Sequence, residues 1–264
     1  MSKINKYEDI VKNHYTNTYQ EDDRFKVNSH KIEYLTIMRY IKKYLKKGAR
    51  VLEIGAATGA YSIELAKMGY DVTAVDLTPA NVELMKEKSK RIKNITCLVG
   101  DALDLKLEDN SFDLVLNLGP MYHLYNKKDK NKAIDETLRV CKKDGICFFA
   151  YLTNSSVVWQ YGVRRNSMAH LSTFMDKKGR IKDTPEEIFT TYFIEDFKKQ
   201  FDNKDSTYIK SVSADCIFQI MRDYINDVMS EEDYQKLVDW HFATCEREDQ
   251  QGLSSHMLYI CKKN

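Results

Sequence analysis

Apolar and polar positions alternate along the chain in blocks whose lengths fit strands and helices in turn. The apolar run at 51–54 predicts a buried strand, and a turn with Gly55 and Gly59 follows it. The stretch from 60 to 68 then predicts a helix. The next apolar run, 71–75, predicts a second strand, and an acid, Asp76, comes directly after it. Together these blocks predict a strand–turn–helix–strand unit, which is the unit that holds a nucleoside cofactor in doubly wound folds.

Polar residues or glycines stand at four successive predicted strand ends. Further strands are predicted at 95–99 and 112–116, and the four ends carry Glu53 with Gly55, Asp76, Asp101 and Asn117. In open α/β sheets, ligands bind outside the carboxyl ends of the strands. The pattern therefore predicts one ligand crevice at this edge of the sheet.

The glycine spacing favours a cofactor without a pyrophosphate. Dinucleotide-binding turns carry glycine at the first, third and sixth positions, and here Ala57 and Ala60 occupy the third and sixth positions counted from Gly55. Gly55 and Gly59 still allow backbone to approach a ligand closely. Asp76 lies roughly 20 residues past the glycines, where a ribose-binding acid belongs. The alternative interpretation is an ordinary strand-to-helix turn followed by a solvated Asp.

The rest of the pattern predicts a larger α/β domain with an insertion. Helix signals include Gly48 as a stop and Pro79 in a first turn. Additional helices are predicted at 31–46, 79–90, 129–141 and 231–247, and additional strands at 145–152, 208–217 and 256–261. Residues 154–210 are aromatic and less regular, and we interpret them as a mainly helical lid, with a short helix starting at Thr184. The predicted division is an N-terminal segment 1–29, a core of 30–153 and 211–264, and the lid.

These motifs in this order resemble the class I S-adenosylmethionine-dependent methyltransferases. The matching segments are VLEIGAATG at 51–59, VTAVDLT at 72–78, GDALDL at 100–105, FDLVLNLGPMYHL at 112–124 and RVCKKDGICFFAY at 139–151. The resemblance implies a doubly wound, seven-stranded, mostly parallel sheet whose last strand is antiparallel. Ala57 departs mildly from the family's middle glycine. The Asp/Asn-Pro-Pro-Tyr/Phe signature of nucleic-acid amino-methyltransferases is absent, which argues against a DNA base as the acceptor.

The resemblance also implies where S-adenosylmethionine would bind. Gly55, Ala57 and Gly59 would bring backbone close to the methionyl part, and Glu53 would order this turn through hydrogen bonds. Asn117 and Leu118 would contact the methionyl amine through backbone carbonyls. Asp76 would accept both ribose hydroxyls, Leu77 would pack on the adenine, and Asp101 and Ala102 would bind its edge. An Asx turn is the alternative role for Asp101. A tyrosine-bearing N-terminal segment covers the cofactor in many relatives, which here points to Tyr15, Tyr19 and Arg24.

The acceptor side is less defined in the sequence. His123 is the first choice for a base or an acceptor-orienting group, with Tyr122 beside it, because both follow the fourth strand. A structural histidine is the alternative for His123. Other candidates for the acceptor pocket are Trp159, Arg164 and His170 of the lid. Of the remaining histidines, His241 is expected to be structural, and His256 fits either role.

Composition and charge narrow the function class. The 264 residues include 41 basic and 39 acidic side chains and carry a net charge of +2, which gives no electrostatic case for nucleic-acid or membrane binding. The sequence has no 18-residue apolar run and no apolar signal-peptide core. The six cysteines form no Cys-x-x-Cys pair, so free thiols are expected rather than disulfides or a zinc site. We therefore expect a cytoplasmic enzyme, monomeric or homodimeric, without a metal.

The sequence predicts a methyltransferase that uses S-adenosylmethionine to methylate a small molecule. Three alternatives compete with this interpretation. A protein or RNA methyltransferase would usually add a recognition domain or a basic face. A nicotinamide-dependent oxidoreductase shares the core, but its glycine pattern is not met. A non-catalytic protein that binds S-adenosylmethionine or its demethylated product would keep the same binding motifs.

Overall fold

The computed structural model describes residues 9–14, 24–182 and 189–264. Three residues named from the sequence, Tyr15, Tyr19 and Thr184, lie outside these ranges. Within them, the strands are β1 (Arg50–Ile54), β2 (Asp71–Asp76), β3 (Ile95–Val99), β4 (Phe112–Asn117), β5 (Cys141–Thr153), β6 (Thr191–Tyr192), β7 (Ser206–Ser213) and β8 (His256–Lys263).

One long helix precedes β1, and the other helices lie between the strands. They are α1 (Asn28–Tyr44), α2 (Ala60–Lys67), α3 (Pro79–Ser89), α4 (Lys127–Val140), α5 (Asn154–Val157), α6 (Met168–Leu171), α7 (Ile194–Lys198), α8 (Arg222–Asp227), α9 (Glu231–Thr244) and α10 (Glu248–Gln251). A π-helical turn spans Val158–Val163, and 3₁₀ turns span Pro120–Tyr122, Ser172–Phe174, Lys199–Phe201 and Cys216–Phe218. Two long helices have side-chain caps: Asn126 accepts from Asp129 N before α4, and Ser230 accepts from Asp233 N before α9.

The strands form one sheet in the order β3-β2-β1-β4-β5-β8-β7, and the short β6 pairs with β5. Pairing is parallel from β3 through β5, whereas β8 runs antiparallel to both of its neighbours. This is the predicted mostly parallel, doubly wound sheet with an antiparallel last strand. The order reverses between β1 and β4, which makes that junction the switch point where ligands bind in such sheets.

The central strands are mostly apolar because both faces of the sheet are covered. In β1, Leu52 and Ile54 pack on one face with α4, while Val51 packs on the other face with α1 and α2. Residues that alternate along a strand point to opposite faces, so a strand buried on both sides needs a continuous apolar run. The same physics explains why these strands were readable from the sequence.

The segment after β5 differs in detail from the predicted lid. Helical turns dominate it, but Thr191–Tyr192 form β6 and add an eighth strand to the predicted seven. The next core strand, β7, begins at Ser206. The last residues of the range 154–210 therefore belong to the core sheet.

The described residues contain no helix long and apolar enough to cross a membrane. All six cysteines are free thiols, and all but the half-buried Cys97 are buried. Burial raises the pKa of the Cys147 thiol well above its usual range, which keeps the thiol protonated and inert.

Candidate functional site

A pocket opens at the carboxyl edge of the sheet, beside the junction of β1 and β4. It brings together most of the residues proposed from the sequence: Arg24, Glu53, Gly55, Ala57, Asp76, Leu77, Asp101, Ala102, Leu118, Tyr122 and His123. Gly59 and Asn117 lie next to it but do not line it. The four strand ends identified in the sequence thus converge on one crevice, with the side chain of Asn117 as the exception.

The glycine turn after β1 has a backbone that few side chains tolerate. Gly55 has a φ of +76°, Ala57 a φ of +46° and Gly59 a φ of +88°. A Cβ at Gly55 would lie 2.7 Å from Cδ of Pro120, so glycine is required there for conformation and for space. A Cβ at Gly59 would lie 2.8 Å from Cγ of Met85, which explains that glycine by helix packing rather than by ligand contact.

Asp76 fastens this turn to the end of β2. Its Oδ2 accepts a hydrogen bond from Ala57 N at 2.8 Å, and its Oδ1 accepts from Thr78 N at 2.9 Å and from Asn81 Nδ2 at 3.1 Å. Only 7% of Asp76 is exposed. Burial raises the pKa of Asp76, while the hydrogen bonds from Thr78, Asn81 and Ala57 act in the opposite direction. The carboxylate therefore shapes the turn before any ligand arrives, a role that the sequence interpretation did not assign to it.

Glu53 stabilises the same glycine turn through a hydrogen bond to the helix that follows it. It is 2% exposed, lines the pocket and accepts a hydrogen bond from Oγ of Ser62 in α2. This bond joins the end of β1 to the first helix after the glycines. The arrangement agrees with the ordering role expected for Glu53.

The adenine end predicted from the sequence lies at the ends of β2 and β3. Leu77, Asp101, Ala102 and Leu103 all line this part of the pocket. The Asp101 side chain accepts from Leu103 N at 2.9 Å, so the Asx turn that was the alternative for Asp101 is present. Asp101 serves the turn and still faces the pocket.

The part of the pocket formed at the end of β4 differs from the prediction at Asn117. The buried Asn117 side chain turns away and donates from Nδ2 to Oγ1 of Thr137 in α4 at 3.0 Å. Leu118 lines the pocket, and its carbonyl accepts from the Tyr122 hydroxyl at 2.8 Å. Any ligand contact from Asn117 must therefore come from its backbone, which was the contact proposed for it.

Tyr122 and His123 form an aromatic wall with Phe189 of the insertion. The ring centroid of His123 lies 4.9 Å from that of Tyr122 and 5.2 Å from that of Phe189. Thr190 N donates to the Tyr122 carbonyl at 2.7 Å, and the Tyr192 hydroxyl donates to Met121 O at 2.9 Å. Because the Tyr122 hydroxyl donates to the Leu118 carbonyl, Tyr122 helps to hold this wall in place.

The lid residues proposed for the acceptor pocket lie elsewhere. Trp159, Arg164 and His170 do not line the pocket in the described part of the chain. Arg164 pairs with Asp223 at 3.3 Å, and the His170 ring packs on Phe174 with centroids 5.3 Å apart. The Arg164 contact joins the insertion to α8, and the structure gives no support for an acceptor role of these three residues.

His241 has the structural role expected for it. It is fully buried, and its Nε2 lies 2.9 Å from Oγ1 of Thr36, whose hydroxyl donates to Ile32 O at 2.8 Å. Nε2 must therefore carry the proton, and the buried Nδ1 has no partner among the described residues. Burial lowers the pKa of His241 to about 4, which keeps the ring neutral near neutral pH.

A buried charged cluster behind one wall was not foreseen as a unit. Arg24 and Glu33 line the pocket and form an ion pair, and His256 Nε2 lies 3.2 Å from Nη2 of Arg24. His256 Nδ1 lies 2.6 Å from Oδ2 of Asp215. Burial lowers the pKa of His256, but the charges of Glu33 and Asp215 outweigh it and raise the pKa above its usual value.

The same cluster offers ligand atoms for a cation. Glu33, Asp215 and His256 present three ligand atoms within 4.8 Å of one another. Arg24 contacts both Glu33 and His256, so its guanidinium already supplies the positive charge that these carboxylates require. The cluster is thus explained without a metal. The members come from positions 24, 33, 215 and 256, and no local motif in the sequence links them.

Comparisons with known proteins agree with this geometry. A family model described as a methyltransferase domain matches residues 52–149. Demethylmenaquinone methyltransferase of Staphylococcus aureus (strain JH9) is 35% identical over 105 residues, which are 39% of this chain and 42% of that protein. The chain thus spans less than half the length of the curated relatives it matches.

Solved structures share the fold over most of the chain. A protein from Pyrococcus horikoshii gives a TM-score of 0.59 at 17% identity and covers 96% of both chains. An S-adenosylmethionine-dependent methyltransferase from Methanosarcina mazei gives 0.56 at 17% identity, covering 85% of this chain and 96% of that one. The [4+2]-cyclase SpnF gives 0.57 at 17% identity over 88% of this chain and 80% of its own. At these identities the similarity shows the fold alone.

Proposed function

We propose that the chain is a class I S-adenosylmethionine-dependent methyltransferase that transfers the methyl group of this cofactor to a small-molecule acceptor. The observation that carries the proposal is Asp76. A carboxylate that is 7% exposed, placed at the end of β2 and bonded to the glycine turn, faces a pocket at the switch point of the sheet. This is where a ribose with two free hydroxyls would find a strong acceptor.

The residues around the pocket fit a phosphate-free nucleoside. The left-handed backbone of Gly55 and the close approach of Pro120 require glycine there, and Gly55 lines the pocket. Asp76 would hold the ribose hydroxyls, and Leu77, Asp101 and Ala102 would hold the adenine. Glu53, Gly55, Ala57 and Leu118 would surround the methionyl part, with Arg24 beside them.

Methyl transfer from a sulfonium depends more on aligning the acceptor with the methyl group and on excluding water than on a strong acid or base. S-adenosylmethionine supplies a methyl group that is already electrophilic. Holding the acceptor in line with it can contribute about 7–11 kcal/mol through proximity alone. The aromatic wall of Tyr122, His123 and Phe189 would exclude water and orient the acceptor. His123 would accept a proton where the acceptor must lose one, which contributes about 10²–10⁴-fold.

Two observations support a small-molecule acceptor. The relative from Staphylococcus aureus is named as a demethylmenaquinone methyltransferase, which acts on a small molecule. The near-neutral chain, with a net charge of +2, has no general attraction for nucleic acid. We keep the segment 154–210 as the proposed acceptor-side insertion, because Phe189 and Thr190 contact the wall that holds His123.

A transfer assay tests the proposal. The purified protein is incubated with methyl-labelled S-adenosylmethionine and a mixed metabolite extract, and label is followed into new small molecules. We expect label transfer that depends on the protein and falls sharply in His123→Ala. Binding of the cofactor without any transfer across diverse extracts would favour a non-catalytic binding protein instead.

A further inference from the structure

A group of exposed apolar side chains lies on the insertion and beside it, apart from the residues that line the pocket. The most exposed of those on the π-helical turn is Val163, at 59%. Large apolar side chains that are exposed singly are normal on a protein surface, whereas a cluster of them marks an interaction site. The cluster here also includes Trp159, Tyr161, Met168, Met221 and Tyr224.

Two contacts join the insertion to the segment that leads into α8. Gln160 donates from Nε2 to Gln219 O at 2.9 Å, and Arg164 Nη1 lies 3.3 Å from Asp223 Oδ2. These contacts bring residues 158–168 and 219–224 side by side, although about 60 positions separate them in the sequence. The exposed apolar side chains of the two segments are therefore neighbours on one surface.

The π-helical turn gives this surface a defined shape. Arg164 N donates to Trp159 O at 2.9 Å, and Ser167 N donates to Gly162 O at 2.9 Å, so both bonds span five residues. Met168 packs on Gly162, because a Cβ there would lie 2.2 Å from Met168 Sδ. Such turns are rare and frequently lie at functional sites. The packing against α6 holds the turn in place.

Three guanidinium groups lie in the same surface. Arg222 Nε lies 3.6 Å from Asp223 Oδ1, and the same carboxylate contacts Arg164. Arg165 Cζ lies 4.5 Å from the centroid of the Tyr161 ring. Burial and the positive charges of Arg164 and Arg165 lower the pKa of Arg222, against the effect of Asp223. Since arginine stays charged at neutral pH and two of the three share one carboxylate, the local charge is positive.

An anionic membrane surface complements this combination of side chains. Trp and Tyr rings favour the interface between membrane and water, apolar side chains enter the boundary of the acyl chains, and basic side chains attract anionic headgroups. A second copy of the chain fits less well, because a two-fold interface would place arginine against arginine. Nucleic acid also fits less well, because its phosphate backbone offers no partner for Val163 and Met168.

We propose that this docking surface, formed by Trp159, Tyr161, Val163, Arg165, Met168 and Arg222, binds the protein peripherally to a bilayer that contains anionic phospholipid. The inference goes beyond the proposed function and does not depend on it. The net charge of the whole chain, +2, gives no sign of the surface, because the positive excess is local and forms where two distant segments pack together.

The docking surface borders the pocket wall. Gln219 donates from Nε2 to Ser29 O in the first turn of α1 at 2.7 Å. Glu33, which lines the pocket, follows Ser29 by four residues and so lies about one turn farther along the same helix face. Docking would therefore bring this wall of the pocket near the lipid headgroups.

Vesicle sedimentation with the full chain tests the proposal. The protein is mixed with vesicles of phosphatidylcholine alone or of phosphatidylcholine with phosphatidylglycerol, and the bound fraction is measured. A basic residue near an anionic surface contributes about fivefold in binding, so three arginines predict roughly 100-fold tighter binding to the anionic vesicles. We expect added salt to release the protein.

Val163→Ser combined with Arg165→Glu is the test variant, because both side chains are exposed and the core is left unchanged. We expect it to lower the partition constant for anionic vesicles by roughly 30-fold or more, with the melting temperature of the wild type. Leu84→Ser combined with Arg91→Glu is the matched control. It makes equivalent exchanges at exposed positions in α3 and just after it, and should bind like the wild type.

Trp159 reports lipid contact directly. The chain has two tryptophans, so Trp240→Phe leaves Trp159 as the single fluorescent reporter. We expect its emission to shift to shorter wavelength when anionic vesicles are added and to stay unchanged with phosphatidylcholine alone.

Four outcomes would overturn the proposal. The wild-type protein could remain unbound in the presence of anionic vesicles, or bind both kinds of vesicle equally. The test variant could bind as tightly as the wild type, or bound protein could leave Trp159 emission unchanged; either result would place the lipid contact elsewhere. A wild-type dimer that binds no vesicles and becomes monomeric in the test variant would assign the surface to a second copy of the chain. None of these results bears on methyl transfer, so the proposed function is tested separately.

Discussion

Replacing Asp76 by alanine removes the carboxylate that we propose binds the ribose of the cofactor. The Asp76 carboxylate would accept two charge-assisted hydrogen bonds from the ribose, each contributing about 1.5–3 kcal/mol. Their loss amounts to about 3–6 kcal/mol, or roughly 10²- to 10⁴-fold in the dissociation constant of S-adenosylhomocysteine measured by calorimetry. The carboxylate also holds Ala57 N at 2.8 Å and Thr78 N at 2.9 Å. Leaving a buried donor unpaired costs about 1–3 kcal/mol, so the melting temperature should fall as well.

Asp71→Ala is the matched control for this experiment. Asp71 begins the strand that Asp76 ends, so it lies at the opposite edge of the sheet. Its side chain is 62% exposed and pairs with Arg50 at 3.3 Å, an interaction that contributes about 0–1 kcal/mol. We expect Asp71→Ala to leave both affinity and melting temperature nearly unchanged. An Asp76→Ala protein that folds and binds S-adenosylhomocysteine as tightly as the wild type would refute the assignment.

Three further predictions concern catalysis, the glycine turn and pH. His123→Ala should reduce turnover by about 10²–10⁴-fold with cofactor affinity unchanged; equal losses in both would indicate a structural role. Gly55→Ala should abolish cofactor binding because its Cβ would lie 2.7 Å from Pro120. Gly69→Ala is the control: Gly69 also has a left-handed φ, +92°, but a Cβ there meets open space, so this change should only lower the melting temperature. In the unfolded state His241 takes up a proton near its ordinary pKa of 6.5, whereas in the folded state its pKa is about 4. The free energy of unfolding therefore falls as the pH drops from 6.5 towards 4. Denaturant titrations at pH 7 and pH 5 should show that the free energy of unfolding falls by roughly 2 kcal/mol less in His241→Gln than in the wild type. Equal losses in the two proteins would contradict a buried, neutral His241 ring.

The core of the fold and the cofactor side of the pocket were readable from the sequence for one reason. Parallel strands covered on both faces are apolar throughout, so their ends stand out, and Glu53, Asp76 and Asp101 each follow or close such a run. Since the carboxyl ends of parallel strands share one edge, these residues had to meet. The direction of the Asn117 side chain was not readable, because it depends on Thr137 in a helix that packs on the other side of the strand.

The buried charged cluster and the acceptor side could not be predicted from the sequence in the same way. Arg24, Glu33, Asp215 and His256 come together only through tertiary packing, and no spacing along the chain announces them. Aromatic content alone suggested that Trp159 would face the acceptor, but the insertion reaches the pocket wall through Phe189 instead. The composition of residues 154–210 predicts an insertion but does not show which of its side chains contact the site.

A crystal structure of the protein with bound S-adenosylhomocysteine tests the central claim most directly. The account predicts the ribose hydroxyls on the Asp76 carboxylate, the adenine beside Leu77 and Asp101, and the thioether sulfur facing the wall that carries His123. A cofactor bound away from the ends of β1 and β2, or a nicotinamide dinucleotide bound in its place, would contradict it.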